Sequence, residues 1–379
     1  MDKKIVIIAG ESSGDLHASH LIKNLKQISD NIKVSGLGGK LMKEAGAEIY
    51  YDLTDIAVIG FFEILKNLSK FKTAFRLLLE KIDEIKPDVV ILIDYPGFNL
   101  KIAQEIKKRN IPIIYYISPQ VWAWGRNRIK LITNLIDKMI VVFKFEENLY
   151  KGEKIDTYFA GHPLIDIVKT TKSKKDIIAD YNLSASKFII TLMPGSRENE
   201  VRKNLPIMLE AASLIQEKLK NTQFLIIQSS SVSRLLFEEI LKKAKVRAKL
   251  ITNEVYNVLG ASDFAIICSG TATLESAILK TPLVIVYKIS FLSWLFIRHL
   301  IKIPYIGLVN IVRGKKIIPE FIQYNANPER IAQFIIDCLT DTDKIKSIKE
   351  ELLKVKELLG LPGASKRAAE VVVDFLNAH

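Results

Sequence analysis

Cysteine is almost missing from this chain. The 379 residues contain two, Cys268 and Cys338, each inside an apolar stretch and neither in metal-ligand spacing. That argues against a disulfide framework or a thiolate metal centre and predicts two reduced core thiols in a cytoplasmic protein. No apolar run approaches the roughly 18–20 residues needed for a membrane-spanning helix. The run between Lys288 and Arg298, interrupted only by serine, is about ten residues long. Met1–Gly14 does not read as a signal peptide, because Ile5–Ala9 is too short for its apolar core and runs into a polar glycine turn. Acidic residues are also in deficit, 42 against 55 lysines and arginines, for a formal charge of +13. This surplus suits a nucleotide, a phosphorylated substrate, an acidic membrane surface or nucleic acid, or else reflects general lysine enrichment. Nucleic acid is the weakest of these, since the basic residues form no single cluster with stacking aromatics.

What is present is a repeated alternation of short apolar strands and helical segments. Lys4–Ala9, Lys33–Leu37, Val89–Ile93, Ile113–Ile117 and Met139–Val142 read as buried strands of a doubly wound sheet. After a polar, lysine-rich connection, Lys169–Lys187, the pattern restarts with Phe188–Leu192, Phe224–Gln228, Ala248–Thr252, Ala265–Cys268 and Leu283–Tyr287. The fold class expected is therefore α/β, with two doubly wound Rossmann-like domains facing across a cleft. The predicted boundaries are 1–168, 188–345 and a helical tail, 346–379, returning to the amino-terminal domain. Ligands in such sheets bind beyond the carboxyl ends of the strands.

Those ends carry the candidate residues. The first strand leads into Gly10-Glu11-Ser12-Ser13-Gly14-Asp15, neither a dinucleotide fingerprint nor a Walker loop. Its carboxylates, Glu11 and Asp15, disfavour phosphate and favour a sugar or alcohol; Asp15 also reads as the cap of a helix over Leu16–Ile28. Asp94 follows the strand Val89–Ile93, and Ser118–Arg126 places Trp122 and Trp124 after the next. Gly161-His162-Pro163 offers His162 as a ligand contact or a turn residue. In the carboxy half, Gly195-Ser196-Arg197 exposes backbone donors, and Arg197 can fork onto phosphate oxygens. A helix is predicted from about Pro206. Ser269-Gly270-Thr271 forms a second anion-competent turn, continuing through Ala272 into a helix whose Glu275 is placed to accept ribose hydroxyls. Two such loops in one domain predict a diphosphate pocket. Ile56–Leu79 and Ile289–Ile303 read either as amphipathic segments on an anionic membrane or as core-facing helices.

Together these stretches resemble the lipid-A-disaccharide synthase family, inverting glycosyltransferases of the GT-B fold. The resemblance rests on AGESSGD (Ala9–Asp15), AVIGFFEIL (Ala57–Leu65), KPDVVILID (Lys86–Asp94), YYISPQVWAW (Tyr115–Trp124) and AGHPL (Ala160–Leu164). It continues through LMPGSRENEV (Leu192–Val201), ASDFAIICSGTATLE (Ala261–Glu275) and IGLVNIVRGKKIIPEFIQ (Ile306–Gln323), in the family's order and over nearly the whole chain. Many members carry a second acidic residue where this chain has Gly97, which makes Asp94 the better candidate base.

The resemblance implies a role in lipid A, hence lipopolysaccharide, biosynthesis at the cytoplasmic face of a Gram-negative inner membrane, as a peripheral protein. The reaction implied joins UDP-2,3-diacylglucosamine to 2,3-diacylglucosamine 1-phosphate, releasing UDP. Asp94 is then the candidate base, with His162 and His17 in reserve. Arg197 and the Ser269–Thr271 amides would stabilise the departing diphosphate, and Glu275 would hold the ribose. Asn310 would line the donor site; Glu11, Ser13, Gly14, Asp15 and Trp122 would face the sugars. No cofactor or metal is expected. Two alternatives stay open: another UDP-sugar enzyme of the same fold, such as a cell-wall lipid glycosyltransferase or an epimerase, and a non-enzymatic UDP- or membrane-binding protein.

Overall fold

Uninterrupted runs of isoleucine, leucine and valine form the interiors of two all-parallel sheets. The protein is seen in a computed structural model that describes residues 2–53, 68–123, 128–153, 155–290 and 303–378. Ala57–Leu65, most of Ile289–Ile303 including Trp294, and Trp124 and Arg126 lie outside the described residues. The chain forms two units, Met1–Asp166 with Leu359–His379, and Ile167–Leu358.

The first unit's sheet comprises β1 (Lys3–Ala9), β2 (Ile32–Gly38), β3 (Glu48–Asp52), β4 (Val89–Ile93), β5 (Ile113–Tyr116), β6 (Lys138–Val141) and β7 (Asp156–Phe159). Its order is β3-β2-β1-β4-β5-β6-β7. The second unit holds β8 (Phe188–Met193), β9 (Thr222–Ile227), β10 (Ala248–Ile251), β11 (Phe264–Cys268), β12 (Leu283–Tyr287) and β13 (Glu320–Ile322), in the order β10-β9-β8-β11-β12-β13. Both therefore reverse direction once, between β1 and β4 and between β8 and β11. That reversal opens the crevice in which doubly wound sheets bind ligands. The central strands β4 and β11 are buried along their whole length, as strands covered by helices on both faces must be.

Three expectations are corrected here. The first helix spans Ser12–Ile28, so Ser12–Asp15 is its opening turn rather than a loop before it. The helix after β8 spans Glu198–Lys218 with Pro206 inside it, starting eight residues before the proline that suggested its beginning. Glu198 and Glu200 in the first turn complement the positive end of the helix dipole.

Finally, the tail divides. Helix Thr342–Leu358 packs within the second unit, where Glu351 takes Arg313, Lys315 and Lys354 as ion-pair partners. Helix Ala364–Ala378 belongs to the first unit and packs on Ser12–Ile28. The part of the basic, aromatic segment that is described, in helix Leu68–Ile85, packs Phe71 and Phe75 against the core with Lys70, Lys72 and Arg76 exposed.

Candidate active site

In the first unit the crevice between β1 and β4 is lined by Glu11 and Asp94. Ala9 pairs with Ile93, so the residues that follow leave the sheet side by side. Asp94 and Tyr95 both sit in the left-handed region, at φ 45°, which non-glycine residues adopt at a cost. Side chains hold the loop there. The Asp94 carbonyl accepts from the Tyr115 hydroxyl and from Asn99 Nδ2 at 2.7 Å; the same Nδ2 reaches the Ile93 carbonyl at 3.1 Å. Gly10 is required opposite, because a Cβ there would lie 2.2 Å from the Tyr95 ring. The half-buried Asp94 carboxyl is pushed up to about 7 by burial and by the neighbouring Glu11 charge, against a hydrogen bond from the Tyr95 backbone. A carboxylate poised near neutrality is suited to take a proton from a hydroxyl.

The other first-unit candidates have structural partners. Asp15 is buried, and its Oδ1 accepts from the Gly39 and Met42 amides at 2.8 and 3.0 Å while Oδ2 accepts from Leu41 at 3.0 Å. It therefore caps the neighbouring helix Lys40–Glu44 rather than its own, whose N-cap residue is Glu11. Gly14 is buried in the first turn, with Ala9 and Ile93 nearest to where a side chain would stand, while Ser13 is exposed.

Trp122 is buried and donates its indole N–H to Glu146 Oε1 at 3.1 Å. Glu146 was not apparent from sequence. Burial pushes it up to about 8, even though the Phe143 and Val142 amides and the Trp122 indole hydrogen-bond to it.

His162 is buried, and its Nδ1 accepts from the Leu164 amide at 3.2 Å. Burial, with His17 beside it, lowers it to about 3, so the ring is neutral with its proton on Nε2. It has no lone pair left to act as base. His17, lowered to about 4 mainly by burial, lies edge-on to it at 6.2 Å.

The Gly161-His162-Pro163 turn instead anchors the returning tail. The His162 amide donates to the Leu359 carbonyl at 2.8 Å, Asp166 accepts from the Gly363 amide at 2.6 Å, and Arg367 Nε donates to the Ala160 carbonyl at 2.9 Å.

In the second unit, both anion-competent turns flank the crevice between β8 and β11. Gly195 has φ +125°, and Arg197 is the exposed residue preceding helix Glu198–Lys218. Gly270 has φ +152°, with open space where a side chain would stand, and Thr271 precedes helix Ala272–Leu279. The half-buried Glu275, in the first turn, is raised to about 7 by burial. Asn204 links this edge internally: its Oδ1 accepts from the Lys288 amide at 2.8 Å and its Nδ2 donates to the Glu200 carbonyl at 2.8 Å.

Asn310 is completely buried, and protein groups hydrogen-bond both ends of its amide. Its Nδ2 donates to the Ile318 carbonyl and to Glu320 Oε1, both at 2.8 Å, and its Oδ1 accepts from the Ile317 and Ile318 amides at 2.8 and 3.0 Å. Glu320 in turn accepts from the Ile306 and Gly307 amides at 3.0 and 2.9 Å, and the Ile306 carbonyl accepts from Ser269 Oγ at 2.9 Å. Asn310 thus positions the Ser269 turn from behind. Among the described residues no group of three or more His, Cys, Asp or Glu side chains could hold a metal ion, and no helix is long and apolar enough to cross a membrane.

Two parallel sheets of this order, each opening a crevice at its switch point, are the architecture of the GT-B fold. Among solved structures the chain is similar to the S. aureus MnaA–UDP co-structure, with a TM-score of 0.69 at 17% identity over 100% of this chain and 97% of that one. It is also similar to UDP-GlcNAc 2-epimerase from Neisseria meningitidis bound to UDP-GlcNAc, with a TM-score of 0.67 at 15% identity over 98% of this chain and 100% of that one. At those identities the likeness concerns the fold.

Sequence relatives are far nearer. The lipid-A-disaccharide synthetase family model matches residues 5–373. Lipid-A-disaccharide synthases from Syntrophus aciditrophicus and Coxiella burnetii (strain Dugway 5J108-111) are 43% and 38% identical over 99% of this chain, covering 98% and 99% of those proteins. The chain belongs to the lipid-A-disaccharide synthase family and is a glycosyltransferase.

Proposed function

We propose that the protein transfers the 2,3-diacylglucosamine unit of its UDP donor to the 6-hydroxyl of 2,3-diacylglucosamine 1-phosphate, giving the β-1,6-linked disaccharide 1-phosphate and UDP. The family match over residues 5–373 carries this reading. In a single displacement the acceptor oxygen bonds to the anomeric carbon as the bond to UDP breaks. Asp94 takes the hydroxyl proton, a role worth typically 10²–10⁴-fold. Arg197 and the amides of the Ser269–Thr271 turn hold the diphosphate as charge builds on it; one well-placed donor contributes roughly 3–4 kcal/mol. The positive charge this needs comes from protein groups, without a cofactor or metal. Glu11 and Ser13, at the head of helix Ser12–Ile28, face the acceptor sugar.

The working site is the cytoplasmic face of the inner membrane, where the protein is held peripherally. The formal charge of +13 supports contact with an anionic lipid surface.

The reaction is tested by incubating the protein with both substrates and measuring product mass and UDP. Disaccharide 1-phosphate and UDP in equal amounts are expected. An epimerised UDP-sugar, or UDP binding without turnover, would replace this reading with one of its alternatives.

Glu275 gives nucleoside binding a pH dependence. Hydroxyl donors from a ribose favour the ionised carboxylate, so binding drives off the proton that Glu275 holds below about 7. Affinity for uridine, which has no phosphate to titrate, is expected to fall as pH drops below 7, by up to ~10-fold per unit. Glu275→Gln should remove that slope; a slope surviving in the variant places the ribose elsewhere.

A further inference from the structure

The diphosphate loop of the second unit already holds an anion, and it belongs to the protein. Glu200 lies in the first turn of helix Glu198–Lys218, and its carboxylate turns back over the loop that precedes it. Oε2 accepts from the Ser196 amide at 3.0 Å, and Oε1 lies 3.4 Å from Arg197 Nη1. The side chain is only 14% exposed. Gly195 makes room for it: a Cβ at that position would lie 2.5 Å from Oε2 and 2.6 Å from the Glu200 Cβ. The Ser196 carbonyl is fixed separately, by Ser231 Oγ at 2.7 Å, so the loop keeps a second tie when Glu200 lets go.

Ser196 N–H and Arg197 are donors a diphosphate would need on the reading above, and one carboxylate cannot share them with a diphosphate without like-charge repulsion. We infer that Glu200 is an internal stand-in for the diphosphate, occupying the Ser196–Arg197 donors in the free protein and exchanging with the nucleotide's phosphates during each cycle. Two consequences follow. The carboxylate satisfies the loop's donors when no nucleotide is bound. It also competes with bound UDP for them, which weakens product retention and leaves the donor's sugar and acyl contacts to secure it before reaction.

This inference rests on the UDP-sugar reading, and the experiment separates the two. UDP, inorganic pyrophosphate and uridine are titrated calorimetrically into wild-type protein and Glu200→Gln. Gln keeps the shape of the side chain and removes its charge. The expected result is UDP and pyrophosphate binding ~5–10-fold more tightly to the variant, with uridine unchanged and slower UDP release in stopped flow. Glu200→Asp, which retracts the carboxylate by one methylene, should fall between the two and carries the test should Gln fail to fold.

Weaker or equal UDP binding by a folded variant would overturn the inference and make Glu200 a scaffold for the loop. A gain confined to uridine would also overturn it. If the wild-type protein binds pyrophosphate and not uridine, the nucleotide reading fails and the exchange of Glu200 with a diphosphate stands. If neither form binds any of the three, both fail.

Discussion

Asp94→Asn is expected to lower kcat at least ~100-fold while the protein melts at the same temperature or higher. The activity loss follows from chemistry: an amide cannot accept the acceptor's proton, although it fills the same volume. The stability sign follows from the carboxyl's environment. Burial and Glu11 raise it from 3.8 to about 7, so the folded protein binds this proton more tightly than the unfolded chain does. Stability therefore falls as pH rises from about 4 to 7, and the whole penalty is present above 7. Asparagine carries no such penalty, and it tolerates the left-handed backbone at this position better than most residues. The variant's advantage in melting temperature should grow between about pH 4 and 7 and then level off. Wild-type kcat should rise with pH through about 7 as the base ionises. Near-normal turnover in the variant would move the base to another residue.

Asn310→Ala is the largest expected loss of stability. The substitution leaves the Ile318 carbonyl, the Ile317 and Ile318 amides and one side of Glu320 without their buried partner. Each unsatisfied buried group costs about 1–3 kcal/mol, and partial relaxation brings the total to roughly 3–5 kcal/mol. For a unit of this size that is a drop in melting temperature on the order of 10 °C. Because the same network reaches Ser269 through Glu320 and Ile306, UDP affinity should fall as well. A variant that kept its melting temperature and lost only affinity would return Asn310 to the ligand.

The central strands and their turns were legible because their signals are local. Val89–Ile93 and Phe264–Cys268 are continuous apolar runs ending in small or acidic residues, and both flank a switch point. Three of the four edge strands were not. β3, β7 and β13 are short and half-exposed, and EIYYD, DTYF and EFI carry no continuous apolar run. Pro206 misled for the opposite reason: it is a strong local sign of a helix start, overridden here by packing of a helix that begins at Glu198.

The site residues divide along the same line. Asp94, Glu275 and the two glycine turns were placed at strand ends and a helix start from position alone, and the structure sets them there. Asp15 could not be assigned, since its partners lie 24 to 27 residues away across the sheet edge. His162 faces the returning tail at Leu359, a contact no periodicity encodes. Glu200 and Glu146 belong to no motif of their own, and only their burial and contacts mark them.

The central claim, a single displacement by an acceptor hydroxyl on a UDP-sugar, is tested most directly by the anomeric configuration of the product. An NMR measurement of the new glycosidic linkage, made with UDP release in the same incubation, should show a β-linked disaccharide from an α-linked donor and one UDP per linkage. An α-linked product would require two successive displacements and contradict the role given to Asp94.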